Sequence, residues 1–129
     1  MLVEPFFGTI DPVQEDKRRA IAECNGDDFS VQHFEVKESI PLGNHFHRGK
    51  FEVFTILEGG GIVITHLVDE NGHPIGDKLV TKIGKLSVIK IHPYTAHTFY
   101  LDPGTKMTCF SSAPFDEKNQ DMTKFVLEP

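Results

Sequence analysis

The sequence predicts an all-β fold, a sandwich or barrel of short strands. From Phe29 onward, short runs rich in β-branched and aromatic residues alternate with turn residues, at spacings of roughly 8–12 positions. No segment carries a sustained helical period of apolar residues. A chain of 129 residues is long enough for one domain with one core. These observations favour a single β domain.

The chain divides by pattern into an arm and a body. We expect residues 1–28 to form an irregular N-terminal arm, and residues 29–129 to form the barrel with a C-terminal tail. Phe6 and Phe7 are candidates to anchor the arm on the body. Within the arm, the stretch from Gln14 to Cys24 is open to a short helix, which the Asn-Gly pair that follows would end.

Turn residues mark the strands expected in the body. Gly59-Gly60-Gly61 and Pro103-Gly104 indicate turns, and Asn71-Gly72 indicates a hairpin, since both residues tolerate positive φ. The predicted strands are residues 29–36, 51–57, 62–68, 78–83, 86–91, 96–101 and 107–111.

Composition and charge limit the cellular location and the classes of binding partner expected for the protein. The net charge of -6 and the scattered cations argue against nucleic acid, because phosphate binding needs clustered Lys and Arg. No apolar run reaches the length of a membrane span, and the N-terminus lacks the pattern of a signal peptide. Cys24 and Cys109 form no metal-type spacing. We therefore expect a cytoplasmic protein that binds neither nucleic acid nor membrane.

Four residues have the pattern of a metal site. His45 and His47 are one residue apart, so an extended chain directs both side chains to one face. Glu52 follows five residues later, and His97 comes just after a turn at the start of a later strand. Imidazole nitrogens and carboxylate oxygens bind Zn, Fe, Mn, Ni and Cu. We predict that the first three residues come from one strand and its approach, and that His97 faces them across the interior.

The same residues carry a family resemblance. The spacing H-x-H-x4-E-x6-G, from His45 to Gly59, resembles the second half of the first cupin motif, and Pro93 to His97 resembles the end of the second. Ser39 and Tyr94 stand at or near positions where the family usually has glycine, and neither change removes a ligand. The resemblance implies a double-stranded β-helix, or jelly roll.

A narrower resemblance concerns function. The pattern G-N-H-x-H-x2-K-x-E-x-F, from Gly43 to Phe54, is similar to the C-terminal cupin domain of bifunctional capsular polysaccharide enzymes, which act on nucleotide-linked 4-keto-6-deoxy sugars. The tail from Phe115 to Glu128 is similar to that domain and to stand-alone nucleotide-sugar ketoisomerase cupins. Those ketoisomerases usually carry glutamine at the position of Glu52, which favours the zinc-bearing, epimerase-like group.

The resemblance implies a cofactor and partners. The metal expected is divalent, zinc first, with Fe, Mn or Ni open, and its ligands would be His45, His47, Glu52 and His97. The expected substrate is a nucleotide sugar of surface polysaccharide biosynthesis. A homodimer is expected as well, because cupin sheets often continue across a two-fold axis, and the N-terminal arm is a candidate contact.

The chemistry implied is proton transfer next to a ketone. A base removes the proton, preorganised charge stabilises the enolate, and the site of reprotonation decides between epimerisation and isomerisation. Lys50 is a candidate charge partner for phosphate or enolate, and a lysine at the barrel mouth explains it equally well. Tyr94 is a candidate acid. His33 is a candidate base, with His66 and His92 as alternatives.

Three other functions share the same ligand set. Three histidines and a glutamate can hold iron, so a metal-dependent dioxygenase is one alternative. A non-catalytic sugar- or metabolite-binding cupin is another. A phosphosugar isomerase acting on free phosphorylated sugars is the third.

Overall fold

The computed structural model describes residues 3–116, 118 and 120–129, and these residues form strands but no helix. No helix of the described chain is therefore long and apolar enough to cross a membrane. The strands are β1 Asp11–Glu15, β2 Arg19–Asn25, β3 Ser30–Val36, β4 Pro41–Phe46, β5 Glu52–Glu58, β6 Gly60–Val68, β7 Pro74–Gly84, β8 Val88–Ile91, β9 Thr95–Leu101, β10 Lys106–Ser111 and β11 Thr123–Lys124.

The strands form two antiparallel sheets. The first sheet has the order β1-β2-β3-β10-β5-β8, and the second has the order β11-β4-β9-β6-β7. Most neighbours are far apart in the sequence, as in the pairs β3–β10, β5–β8 and β4–β9. Crossing connections of this kind build a jelly roll from two packed sheets. The all-β prediction is confirmed, and each of the seven predicted strands overlaps an observed one.

The main core lies between the two sheets. In β5 the side chains of Glu52, Phe54 and Ile56 are buried and alternate with half-buried neighbours. This two-residue period directs one face of the strand inward. The other core side chains come from both sheets and are Phe34, Val36, Val63, Ile83, Ile91, Phe99, Leu101, Met107 and Cys109. Glu52 therefore lies on the face of its sheet that meets the second sheet.

A second apolar cluster covers the outer face of the second sheet. Phe46, Ile64, Val68 and Ala96 pack there with Leu127 from the C-terminal segment, against partly buried Tyr94, Tyr100 and Phe125. The Tyr100 hydroxyl donates a hydrogen bond of 2.8 Å to the carbonyl oxygen of Leu127. The C-terminal segment is thus docked on the sheet.

The N-terminal region differs from its prediction. The stretch considered for a short helix, Gln14 to Cys24, contains β1 and β2 instead, and β2 pairs with β3 so that Ile21 lies opposite Phe34. A short helix has little stability of its own, whereas this hairpin covers the open edge of β3 and packs Ile21 on the core. The helix hypothesis was wrong, and the irregular parts of the described arm are residues 3–10 and the short connections 16–18 and 26–28.

Strand β4 was not among the predicted strands. Its residues Gly43 and Asn44 have φ of 122° and 58°, and the pairing with β9 shifts register between Gly43 and His45. A Cβ on Gly43 would lie 2.6 Å from the carbonyl oxygen of His97, so glycine permits the close approach of the two strands. The bulge therefore sets β4 against β9 beside the candidate ligands.

Candidate metal centre

Four side chains that the sequence singled out meet in one place. His45, His47, Glu52 and His97 each offer one ligand atom, and these atoms all lie within 4.8 Å of one another. Glu52 is 7% exposed, His47 3% and His97 1%. A buried group of three imidazoles and one carboxylate is a set of donors that could hold a divalent metal ion.

Two sheets supply the four residues. His45 in β4 lies opposite His97 in the neighbouring strand β9, so these two residues are side by side in the second sheet. Glu52 begins β5 in the first sheet, opposite Ile91 of β8. The expectation that His97 faces the other three was wrong: the chain turns between His47 and Glu52, and the residue that crosses the interior is Glu52.

Hydrogen bonds to backbone carbonyls orient two of the rings. The Nδ1–H of His47 donates to the carbonyl oxygen of Asp121, and that of His97 donates to the carbonyl oxygen of Thr95 at 3.0 Å. In a neutral imidazole with a protonated Nδ1, the Nε2 atom carries a free lone pair. Both Nε2 atoms are therefore donors toward the centre of the group.

The atoms that face the centre of the group are electron-pair donors, and none of them carries a proton to share with the others. Oε1 of Glu52 lies 2.9 Å from Nε2 of His47 and 3.4 Å from Nε2 of His97. Among the described residues, His47 Nε2 and Glu52 Oε1 are buried without a hydrogen-bond partner. Buried electron-pair donors that face each other are costly unless a cation lies between them. The donor set fits zinc, and it also fits iron, manganese and nickel.

The protonation states suit a metal. Burial alone raises the pKa of Glu52, but the adjacent imidazoles of His47 and His97 outweigh burial and hold that pKa well below its usual range. Burial, and then the neighbouring imidazoles of His97 and His47, lower the pKa of His45 to about 3. At neutral pH the carboxyl is ionised and His45 is neutral, which are the forms that bind metal.

Cys109 contacts the other oxygen of the carboxylate. Its thiol donates to Oε2 of Glu52 at 3.5 Å. Burial, together with the negative charge of Glu52, raises the pKa of the Cys109 thiol, so the thiol stays protonated. This contact leaves Oε1 as the free donor of Glu52. Cys24 and Cys109 are both free, and neither belongs to a disulfide.

A cavity of about 180 Å³ adjoins the ligand group. Gln32 and Lys50 contribute polar groups to its lining. Its apolar wall consists of Phe34, Leu42, Phe54, Phe99, Phe115 and Met122. A groove of about 540 Å³ shares Lys50, Phe115 and Met122 with this cavity. A ligand larger than the cavity therefore has room to continue past Lys50.

The structure brings only one of the proposed catalytic residues to the ligands. Lys50 lines the cavity. His33 lies between Gln32 and Phe34, which both line the cavity, so the alternation of β3 directs its imidazole to the opposite face, 3.6 Å from Glu35.

Tyr94 lies on the outer face of the second sheet. Its ring stacks on Phe46 with 6.5 Å between centroids, within the cluster that Leu127 closes. Its backbone has a φ of 60°, and its N–H donates to the carbonyl oxygen of His47 at 2.7 Å. The described structure gives Tyr94 a packing role and keeps its hydroxyl out of the cavity lining.

Sequence reasoning missed Gln32, Asp121 and Met122. Gln32 could have been found, because it has the same strand parity as Phe34. Asp121 and Met122 reach the site only because the C-terminal segment folds back on β4, and no local pattern signals that contact.

Two packed antiparallel sheets in jelly-roll order, with three histidines and a glutamate between them, define a cupin fold. No family model and no curated protein sequence matches the chain. Solved structures do match. A structure of CapF with the inhibitor 3-isopropenyl-tropolone has a TM-score of 0.77 at 21% identity, over 95% of this chain and 36% of that one.

Two further structures have the same fold. The capsular polysaccharide assembling protein CapF from Staphylococcus aureus has a TM-score of 0.71 at 22% identity, over 95% of this chain and 33% of that one. The oxalate decarboxylase of Lactobacillus farciminis, in a formate complex, has a TM-score of 0.67 at 16% identity, over 94% of this chain and 37% of that one. This chain spans about a third of the length of these neighbours. The fold that the resemblance implied is confirmed.

Proposed function

We propose that the chain is a metal-binding cupin that acts in the cytoplasm on a nucleotide-linked 4-keto-6-deoxy sugar, as an epimerase or keto-isomerase of surface polysaccharide biosynthesis. The observation that carries the proposal is the buried group of three histidines and Glu52 beside a cavity with a single lysine. The likeness to a protein named for capsular polysaccharide assembly supports the class of substrate.

The metal would be held by His45, His47, Glu52 and His97. When bound, it supplies positive charge that polarises a carbonyl oxygen of the substrate and stabilises an enolate. The chain supplies the ionised form of Glu52 and the neutral form of His45. Zinc is the metal we expect.

Lys50 is the residue we propose for proton transfer. Outside the ligand group, it is the one titratable residue among the described residues that line the cavity. In this proposal Lys50 accepts the proton next to the ketone and returns a proton to the neighbouring atom. Its positive charge also stabilises the enolate oxygen between the two steps.

A single proton carrier favours one of the two reactions. Inversion at a carbon needs proton donors and acceptors on both faces, whereas a keto-isomerisation can use one group on one face. Among the described cavity residues, His33 and Tyr94 are absent and Lys50 is present. This arrangement favours keto-isomerisation, while Glu52 remains the feature that resembles the epimerase-like group.

The cavity wall excludes water from the reaction. Phe34, Phe54 and Phe99 line the cavity next to the ligands. An apolar lining lowers the local dielectric and strengthens the charge interactions of Lys50 and Glu52. The groove beyond Lys50 would receive the nucleotide part of the substrate.

Solvent deuterium exchange tests the proposal. The zinc-loaded protein is incubated in D2O with nucleotide-linked 4-keto-6-deoxy sugars, and incorporation is followed by mass spectrometry. We expect incorporation with the wild type, none with His47→Ala or chelator-treated protein, and recovery when zinc is restored to the wild type. Absence of exchange with every such sugar would contradict an enzymatic role and favour a sugar-binding cupin.

Oxygen uptake separates the proposed reaction from a dioxygenase. The protein is reconstituted anaerobically with iron, and oxygen consumption is then recorded with and without the sugar. Proton transfer consumes no oxygen, so an unchanged oxygen level is expected. Uptake that depends on the sugar would instead favour the dioxygenase alternative.

We also propose that the partner of the chain is a second copy of itself. The described arm exposes two large apolar side chains almost completely, Val3 at 84% and Phe7 at 87%. Apolar side chains exposed to this extent are candidates for a contact surface. Burial of the arm against a second protomer would remove them from water.

A further inference from the structure

Asp121 contacts three consecutive residues where the chain leaves β4. Its carbonyl oxygen accepts the Nδ1–H of His47. Its carboxylate accepts the backbone N–H of Arg48 at 2.8 Å through Oδ1, and that of Gly49 at 2.6 Å through Oδ2. A residue more than seventy positions away thus holds both the ring of a ligand and the backbone that follows it.

Further contacts, independent of the Asp121 side chain, anchor the C-terminal segment, residues 121–129. In β11, Thr123 pairs with Phe46 and Lys124 pairs with His45. The N–H of Leu127 donates to Oδ1 of Asn44 at 3.0 Å, and the Leu127 side chain is buried. These contacts determine where the carbonyl oxygen of Asp121 lies relative to His47.

We propose that Asp121 is a positioning residue of the metal centre and that docking of the C-terminal segment sets the metal affinity. The inference rests on the metal site of the proposed function. A carbonyl that accepts Nδ1–H fixes the orientation of the imidazole and makes its Nε2 a stronger donor. The carboxylate keeps that carbonyl in place by holding the N–H groups of Arg48 and Gly49. Removal of the carboxylate loosens the hold on that carbonyl, and so on the ring of His47.

The same segment also reaches the cavity. Met122, the neighbour of Asp121, lines both the cavity and the adjoining groove. A ligand in the cavity therefore contacts the segment that orients His47. Occupation of the cavity stabilises the docked segment, and the docked segment stabilises the metal site.

If Asp121 only stabilised the fold, its loss would affect zinc binding no more than the loss of a similar contact elsewhere. Asp16 provides such a contact and serves as the matched control. Asp16 also accepts two consecutive backbone N–H groups, from Arg18 at 2.8 Å and from Arg19 at 3.1 Å. It does so in the turn between β1 and β2, and it lines neither the cavity nor the groove. Asp16→Ala removes the same kind of contact without touching a ligand.

The test measures zinc affinity by competition with a chromophoric chelator at pH 7, for the wild type, Asp121→Ala, Asp121→Asn and Asp16→Ala. We expect Asp121→Ala to weaken zinc binding by about 10- to 100-fold, the usual effect of losing a group that orients a ligand. Asp121→Asn keeps one oxygen acceptor and weakens binding less. Asp16→Ala keeps the affinity of the wild type. The Co²⁺-loaded Asp121→Ala protein shows an altered visible spectrum.

A second variant keeps the inference testable if Asp121→Ala fails to fold. Leu127→Ala loosens the segment from the outer cluster and leaves the Asp121 side chain intact, so it should also weaken zinc binding. Wild-type affinity in both Asp121→Asn and Leu127→Ala would overturn the inference, and so would a wild-type value in a folded Asp121→Ala. A wild type that binds no zinc would overturn the proposed function itself.

Discussion

Oε1 of Glu52 and Nε2 of His47 lie 2.9 Å apart, buried and without a hydrogen-bond partner among the described residues. The Nδ1 atom of His47 already donates to Asp121, so a neutral ring has no proton to offer the carboxylate. Two acceptors at this distance repel each other until a cation joins them. The metal-free protein is therefore expected to be strained at this contact.

Metal removal should lower the melting temperature. An ion present at about 1,000 times its dissociation constant adds about 4 kcal/mol, which corresponds to roughly 15 °C for a domain of this size. Calorimetry before and after chelation, with elemental analysis for one ion per chain, measures the effect. His47→Ala should not respond to the chelator, whereas His73→Ala, which changes an exposed hairpin histidine, should respond like the wild type.

The stability of the metal-free protein should fall as the pH falls from 6.5 toward 3. The folded pKa of His45 is lowered to about 3 from an ordinary value of 6.5. Between these values the unfolded chain binds a proton at His45 and the folded chain does not, so acid favours unfolding. Urea unfolding at pH 7, 5 and 4 checks this. A slope that is equally steep in His45→Ala would exclude His45 as the cause.

Lys50→Met should keep the metal and lose the reaction. The cavity keeps its ligands, but the proposed proton carrier is gone, and a loss of about 100-fold or more in deuterium exchange is expected. Lys90→Met is the control, because Lys90 lies over the Phe51 ring at 4.7 Å and does not line this cavity. Full exchange in Lys50→Met would remove Lys50 from the mechanism.

Two glycines with positive φ should differ in their tolerance of alanine. A Cβ on Gly61 would lie 2.1 Å from the carbonyl oxygen of Tyr100, so β6 and β9 would have to separate, at a cost of roughly 3 kcal/mol. A Cβ on Gly76 would meet nothing within 4 Å, and only its left-handed backbone opposes it, by roughly 1–2 kcal/mol. Denaturant unfolding of the two variants gives the comparison.

Deletion of residues 1–10 should shift the protein toward monomer. The deletion removes the exposed side chains of Val3 and Phe7 that we propose a second protomer covers. Light scattering after size exclusion, over a range of concentrations, reports the mass. A dimer of unchanged stability would place the contact elsewhere on the chain.

The predicted features were those with a local signature. The alternation of apolar and polar residues can be read from the order of residues in a strand. The interval between His45 and His47 likewise fits one face of an extended chain. Strand β4 lacked such a signature, because Gly43 and Asn44 have the composition of a turn. Its extended form depends on pairing with β9, more than fifty positions away.

Two of the proposed catalytic residues show that position in the sequence does not predict which way a side chain points. His33 was proposed because of its residue type. Its neighbours Gln32 and Phe34 both line the cavity, so the alternation of the strand directs His33 to the opposite face. Tyr94 was proposed as an acid because of its phenol, but its left-handed backbone and the hydrogen bond from its N–H to His47 place the ring in the outer cluster.

The placement of Glu52 in one sheet and of His45 and His97 in the other has a kinetic consequence. The complete set of donors exists only after the two layers have packed together, so high-affinity metal uptake must follow closure of the sandwich during folding. Release through loss of Glu52 requires the layers to part again. The dissociation rate of the bound ion should therefore report how often the folded domain opens between its sheets.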